Sequence, residues 1–406
     1  MRRFMRRCSI ALVIILLISI VGCGSGSGTG SSTSSEKAAT TSKEPIKIGF
    51  WGPLSGSAAS MGVDSQNGLK AYINKVNDEG GVNGRKLEVV AYDDEYQPAK
   101  SLASAKRAVE QDKVVAVVGT MGTAGSVAVM PYMEQKKVPF IGPYALATKL
   151  QKPVKRYIFT TLPGYTAAYH IVGDFIVNNL KAKDKKLGFI YMDSDAGHEA
   201  AEGLKNYLKE NNLPGLKSDV TYANGTTDFS SQVLKLKQDG AEVVCTVNST
   251  QDAALILKEA NKIGYKPTWI FSSGAGTKNL FTLLGDNAAA EGIIVAAQNP
   301  ADNEESPGIT EFKEAMKKYF PDHQIGPFSY NSWAAVKLTV EAIKRSGDNV
   351  TSESIVDNLE TIKDFDTGVY GPMTYSKESH AAGQYTKFLI AKNGNWEKLV
   401  DWIAAK

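Results

Sequence analysis

The chain of 406 residues carries 46 Lys and Arg against 43 Asp and Glu, a formal net charge of +3. Four of those arginines (Arg2, Arg3, Arg6 and Arg7) open the chain; without them the balance is about −1, so charge is no argument for a nucleic-acid partner. The length exceeds the roughly 250–300 residues that one hydrophobic core supports, which predicts two domains.

In chain order, residues 1–22 read as an export signal: a basic start, the apolar run from Ile10 to Ile20, then Val21 and Gly22 before Cys23. The run is shorter than the ~20 apolar residues a membrane span needs. "IVGC" is similar to the lipobox of bacterial lipoproteins, which implies that Cys23 becomes the lipidated first residue of the mature chain. Residues 23–44 supply that cysteine and a Gly/Ser/Thr tether without a large apolar residue, with an r.m.s. reach of roughly 25 Å. The expectation is a folded body, from Pro45 onward, held at the outer face of a cell membrane by lipid. Cys245, alone inside "AEVVCTV", reads as a buried strand thiol, and with Cys8 removed no structural disulfide forms in the mature monomer.

From residue 46 strands and helices alternate. The pattern predicts strands at 46–52, 86–95, 114–120 and 138–144, with helices at 65–81, 98–113 and 126–137 between them. It restarts with strands at 185–195, 217–225, 241–249 and 266–274 and helices at 198–212, 228–240 and 252–264. A strand at 291–300, three helical patterns within 310–362 and closing β segments near 370–376 and 385–399 complete the series. Strands separated by helices of ten to fifteen residues imply right-handed βαβ units and parallel sheets. Two such halves make an α/β protein of two doubly wound open sheets, with the ligand site at the carboxyl ends of their strands.

One of those ends stands out. "VVGTMGTAGSVAVMP" (117–131) is an apolar run breaking into a glycine and hydroxyl turn at a helix start, which is how proteins hold an anion. A dinucleotide fingerprint is missing because Met121 stands where its second glycine belongs, and a phosphate-binding P-loop is missing because the turn has no lysine. No cofactor is expected. No nucleophile elbow is present, and His170, His198, His323 and His380 are scattered without zinc spacing, so neither catalysis nor a metal is expected. "YDDE" (92–95) reads as solvated or turn-holding carboxylates, and Ser249 with Asp252 as a helix capping box.

The stretch from "IGFWGPLSG" through "INKVNDEGGVNGRKLEVVAYDD" to "VVG", with "GPYALATKL", "DFSSQVLKLK" and "YGPMTY" further on, resembles the leucine/isoleucine/valine-type solute-binding proteins of bacterial ABC importers. The likeness runs from 45 to about 400. It implies a two-lobed clamp of the type I periplasmic binding protein kind: lobe 1 at 45–161 plus 297–365, lobe 2 at 162–296 plus 366–406, and a three-crossover hinge near Thr161, Ala296 and Asp366. It implies a monomer that captures an amino acid or small carboxylate and delivers it to a membrane permease and ATPase; the alternative is a sensing subunit with the same clamp. Carried over by position, Gly122 and Thr123 hold the ligand carboxylate, helped by Tyr144 and Leu146. Where the family has a second threonine this chain has Leu146, so that bond is missing unless Thr148 reaches in. Ala196 and Asn248 or Ser249 stand at the family's cleft tyrosines, and Ser273 at the glutamate that pairs with the ligand ammonium. Asp195 or Asp252 could replace that charge. Trp51, Met61, Tyr144 and Tyr165 are candidates for an apolar wall, and His198 lies near the cleft.

Overall fold

The computed structural model describes residues 44–56 and 58–405. The expected signal at 1–22, Cys23 and all of the tether but Glu44 lie outside the described residues. Among the described residues no helix is long and apolar enough to cross a membrane.

The first sheet has five parallel strands: β1 (Ile46–Gly52), β2 (Leu87–Asp93), β3 (Ala116–Val118), β4 (Phe140–Ile141) and β5 (Ile158–Phe159), in the order β2-β1-β3-β4-β5. Both faces of β1 and β3 are covered, which is why "IGFW" and "AVV" are continuous apolar runs rather than alternating ones. Helices α1 (Ala59–Asp78), α2 (Pro98–Glu110) and α3 (Thr123–Lys136) follow the first three strands. α2 and α3 cover one face around Ala105, Val129 and Met133. α1 covers the other around Leu69 and Ile73.

The second sheet has seven strands in the order β12-β11-β10-β9-β8-β6-β7. The run begins with α4 (Tyr165–Asn178), then β6 (Leu187–Met192), α5 (Asp195–Glu210), β7 (Ser218–Tyr222), α6 (Ser230–Asp239), β8 (Val243–Val247), α7 (Thr250–Lys262), β9 (Thr268–Ser272), α8 (Asn279–Leu284) and β10 (Ile294–Ala297). α4 and α5 pack on one face and α6 to α8 on the other. Cys245 is wholly buried in β8, and burial raises its thiol pKa far above the usual range, so it is inert. The chain then returns to the first sheet as α9 (Pro307–Tyr319), α10 (Pro327–Arg345) and α11 (Ser352–Leu359), which join α1 on its face. At the α1–α10 crossing a Cβ on Gly68 would lie 2.2 Å from the Ser329 carbonyl oxygen, so only glycine lets the helices meet. The antiparallel pair β11 (Tyr385–Lys392) and β12 (Asn395–Ala404) closes the second sheet beside β10.

Several segments differ from the expected pattern, β5 and α8 among them because two and six residues are too few to show a period. α4 is absent from the sequence reading because its buried positions, Ala168, Tyr169, Ile171, Val172, Gly173, Phe175 and Ile176, leave little polar periodicity to detect. The stretch around 370–376 forms no strand; it makes single bridges and packs Met373 and Tyr375 on the first core. The chain crosses between sheets at neighbouring places. Thr160 donates its N–H to the His380 carbonyl at 2.8 Å and accepts from the Ala382 N–H at 3.0 Å, and Gln298 donates to Thr386 at 3.1 Å.

Candidate functional site

Beyond β3, Gly119 and Gly122 take positive φ values of 64° and 109°, and α3 starts at Thr123 with no side chain capping it. The Tyr144 N–H donates to the Thr120 carbonyl at 2.8 Å, and the Gly122 N–H donates to the Tyr144 carbonyl at 3.3 Å. The turn is therefore pinned to the loop after β4. Ser126 N–H and hydroxyl both donate back to the Gly122 carbonyl, at 3.0 and 2.7 Å. The N–H groups of Thr123, Ala124 and Gly125 have no acceptor among the described residues. Three unclaimed donors and the positive end of the helix dipole at one place favour an anion.

An aromatic and aliphatic cluster lies against this turn. Met121, Tyr144, Leu146 and Leu162 are its buried members, and Met61, Tyr165, Phe328 and Tyr370 pack on it half-buried. Phe328 is held there because Asp64 on α1 accepts the N–H groups of Gly326, Phe328 and Ser329, each at 3.0 Å, and so caps α10. The Phe328 ring meets Tyr144 edge-on at 4.7 Å. Burial pushes the Tyr144 hydroxyl up to about 12. Burial also raises Tyr165, opposed by its hydrogen bond with the Thr123 side chain. Both hydroxyls thus stay protonated at neutral pH.

Beside the Tyr165–Thr123 bond, the second sheet and its helices meet the first through further polar contacts, among them the Tyr165 N–H donating to the Leu146 carbonyl at 2.7 Å. The Tyr144 hydroxyl donates to Ser273 Oγ, just after β9, at 3.4 Å. Thr148 donates its N–H and its hydroxyl to Glu199 Oε2 on α5 at 2.8 and 2.9 Å. Lys149 reaches Asp195 at 3.2 Å on the exposed rim. At the end of β8, Ser272 Oγ donates to the Asn248 carbonyl at 3.2 Å and accepts from the Asn248 N–H at 3.3 Å. The Asn248 side-chain amide is buried at both Oδ1 and Nδ2 without a partner. The Tyr370 hydroxyl and the Thr120 hydroxyl are buried and unpartnered as well.

Of the residues singled out from sequence, the structure gathers Gly122, Thr123, Tyr144, Leu146, Met61, Tyr165 and Ser273 at this seam, with Asn248 beside Ser273. Trp51 is not part of it: the ring is 1% exposed and stacks on Phe140 at 5.6 Å within the first core. Ser249 accepts from the Asp252 N–H at 3.1 Å and so caps α7. Ala196 is half-buried in the first turn of α5. Thr148 is taken by Glu199. Asp195 is 83% exposed at its side chain and paired with Lys149, while Asp252 accepts from the Tyr222 hydroxyl at 3.2 Å, so neither faces the cleft as a free carboxylate. His198 pairs with Asp193 at 2.7 Å in solvent. Asp93 and Asp94 hold the loops around Leu54 and Tyr96, and among the described residues no cluster of His, Cys, Asp and Glu suits a metal. The sequence reading missed Phe328 and Tyr370, which arrive from distant segments, and Tyr96, whose ring covers the space a Cβ on Gly122 would need (2.9 Å).

Residues 45–395 match the periplasmic binding protein family. The Leu/Ile/Val-binding protein homolog 7 of Brucella abortus (strain 2308) is 28% identical over 322 residues, which cover 76% of this chain and 79% of that protein. A branched-chain amino acid ABC transporter protein from Thermus thermophilus, solved with bound valine, superposes with a TM-score of 0.79 at 22% identity, covering 89% of this chain and 97% of the other. A fatty acid ABC transporter substrate-binding protein from Thermomonospora curvata superposes at 0.77 and 22% identity, covering 89% and 93%.

Proposed function

This chain belongs to the periplasmic binding protein family, and from that premise we propose that it is the solute-capturing subunit of an ABC importer. It binds an amino acid or small carboxylate between its two sheets and presents the closed form to a membrane permease. The observation that carries this reading is the uncapped N-terminus of α3. Three free N–H groups and Thr123 sit where Tyr144 meets Ser273 across the seam. Residues 45–161 plus 297–382 form one lobe and 162–296 plus 383–406 the other, with crossings near Thr161 and Ala296. The packing of Met373, Tyr375 and Ala382 on the first core supports a third crossing near Gly383 in place of Asp366.

The work done is binding, not bond chemistry. An open clamp exchanges solute with the medium. Closure buries the carboxylate on α3 and forms the Tyr144–Ser273 and Thr148–Glu199 bonds together. A solute drives closure only to the extent that it binds the closed form better than the open one. Family membership puts the protein outside the cytoplasm. The basic start, the apolar run and "IVGC" support a tether there through lipid on Cys23.

A thermal-shift screen against amino acids and small organic acids tests the proposal. A solute at a hundred times its dissociation constant adds about 2.7 kcal/mol of stability. No shift with any carboxylate, against a clear shift with sugars or cations, would refute it.

A further inference from the structure

We propose that the solute is a carboxylic acid without an α-ammonium group, and that Asn248 is the residue that selects it. The inference rests on the reading of the α3 turn as a carboxylate holder and narrows the class of solute that turn receives.

A carboxylate arriving at α3 meets an uncapped helix start, three N–H groups without an acceptor among the described residues, and a helix dipole. An ammonium drawn in beside it needs a counter-charge, because an unpaired buried charge is expensive. Each carboxylate around the seam is already held by donors of the protein itself. Glu199 accepts two bonds from Thr148. Asp64 accepts three backbone N–H groups and faces His323 at 2.8 Å. Asp94 accepts from the Ser101 hydroxyl at 2.6 Å and the Tyr96 N–H at 2.9 Å. Asp195 and Asp252 are committed at the rim and the α7 start.

Three neutral groups near the seam remain without a partner among the described residues. The Asn248 amide, the Tyr370 hydroxyl and the Thr120 hydroxyl are buried without a partner. A native structure rarely leaves a buried amide unsatisfied, so each such group calls for an explanation. A solute supplies it here. Asn248 stands at the end of β8, one strand from Ser273, which touches Tyr144. Its amide offers one donor face and one acceptor face, which suits a hydroxyl, carbonyl or carboxamide and brings no negative charge to an ammonium. The rings of Tyr144, Phe328 and Tyr370, in the cluster that reaches Ser273 through Tyr144, suit an aromatic or branched apolar body.

The test is calorimetry on the full-length protein in mild detergent, pairing phenylalanine with 3-phenylpropanoate and leucine with 4-methylpentanoate. The amine-free acid of at least one pair binds tenfold or more tightly than its amino acid. Asn248→Asp, which puts a carboxylate at the same spot, reverses that order, and Asn248→Leu weakens the acid without lowering the melting temperature of the empty protein. Tighter binding of the amino acids by the wild type overturns this inference and leaves the carboxylate reading standing. Binding of neither series overturns both. A preference that Asn248→Asp and Asn248→Leu both leave unchanged removes Asn248 from the selection.

Discussion

Glu199 makes the most consequential test of closure. Its carboxylate belongs to α5 on the second sheet, whereas Thr148, which donates to it twice at 2.8 and 2.9 Å, follows Ala147 and precedes Leu150 in the core of the first. In the clamp proposed above, the pair exists only in the closed form. Bonds to a charged acceptor contribute about 1.5–3 kcal/mol each, and the half-exposure of both partners brings the two together down to about 2–3 kcal/mol. Glu199→Ala removes that sum from the closed state and touches nothing in the α3 turn. Solute affinity falls by roughly 30- to 150-fold. The loss appears in the dissociation rate, since the bonds form after encounter. Stopped-flow fluorescence, with stability checked by urea unfolding, reads both. An unchanged dissociation rate would refute the idea that this pair holds the clamp shut, and a loss confined to the association rate would mean that Glu199 steers the solute instead.

Thr123→Val deletes one charge-assisted donor and should weaken carboxylate binding by about tenfold or more, with the melting temperature of the empty protein unchanged; equal calorimetric affinities would take Thr123 out of the site. Cys23→Ala should move the protein from the membrane fraction to the soluble one, and retention of the processed variant in membranes would remove the lipid anchor. Because burial lifts Tyr144 from its ordinary 10 to about 12, the unfolded chain loses its proton first. Tyr144 alone should therefore contribute a loss of about 1.4 kcal/mol per unit between pH 10 and 12, beside that of the other buried tyrosines, and Tyr144→Phe should reduce the total slope in urea titrations by that amount. The same protonated hydroxyl should leave solute affinity flat from pH 6 to 9.

The sheets were legible from sequence because parallel strands buried on both faces make runs such as 46–52 and 243–247, and because α7 keeps Ala253, Ile256, Leu257 and Ala260 on one face. α4 was not, since a helix buried on most sides loses that contrast. The α3 turn was legible through its glycines and Thr123. The rest of the seam was not, for a physical reason: Phe328 and Tyr370 reach it from over 180 residues beyond Tyr144, and no local pattern marks a side chain brought in by tertiary packing. Trp51 shows the converse. It ends a strand at the cleft edge, yet the pleat turns its ring into the core against Phe140. Whether Asp195 and Asp252 were free could be decided only by their partners, Lys149 and Tyr222.

A crystal structure of the protein with a tightly binding acid from the thermal-shift screen tests the central claim most directly. The account predicts the carboxylate within hydrogen-bond distance, about 3 Å, of the Thr123, Ala124 and Gly125 N–H groups, beneath the Tyr144–Ser273 contact. A solute bound with its carboxylate elsewhere, and the α3 N-terminus facing only water, would contradict it.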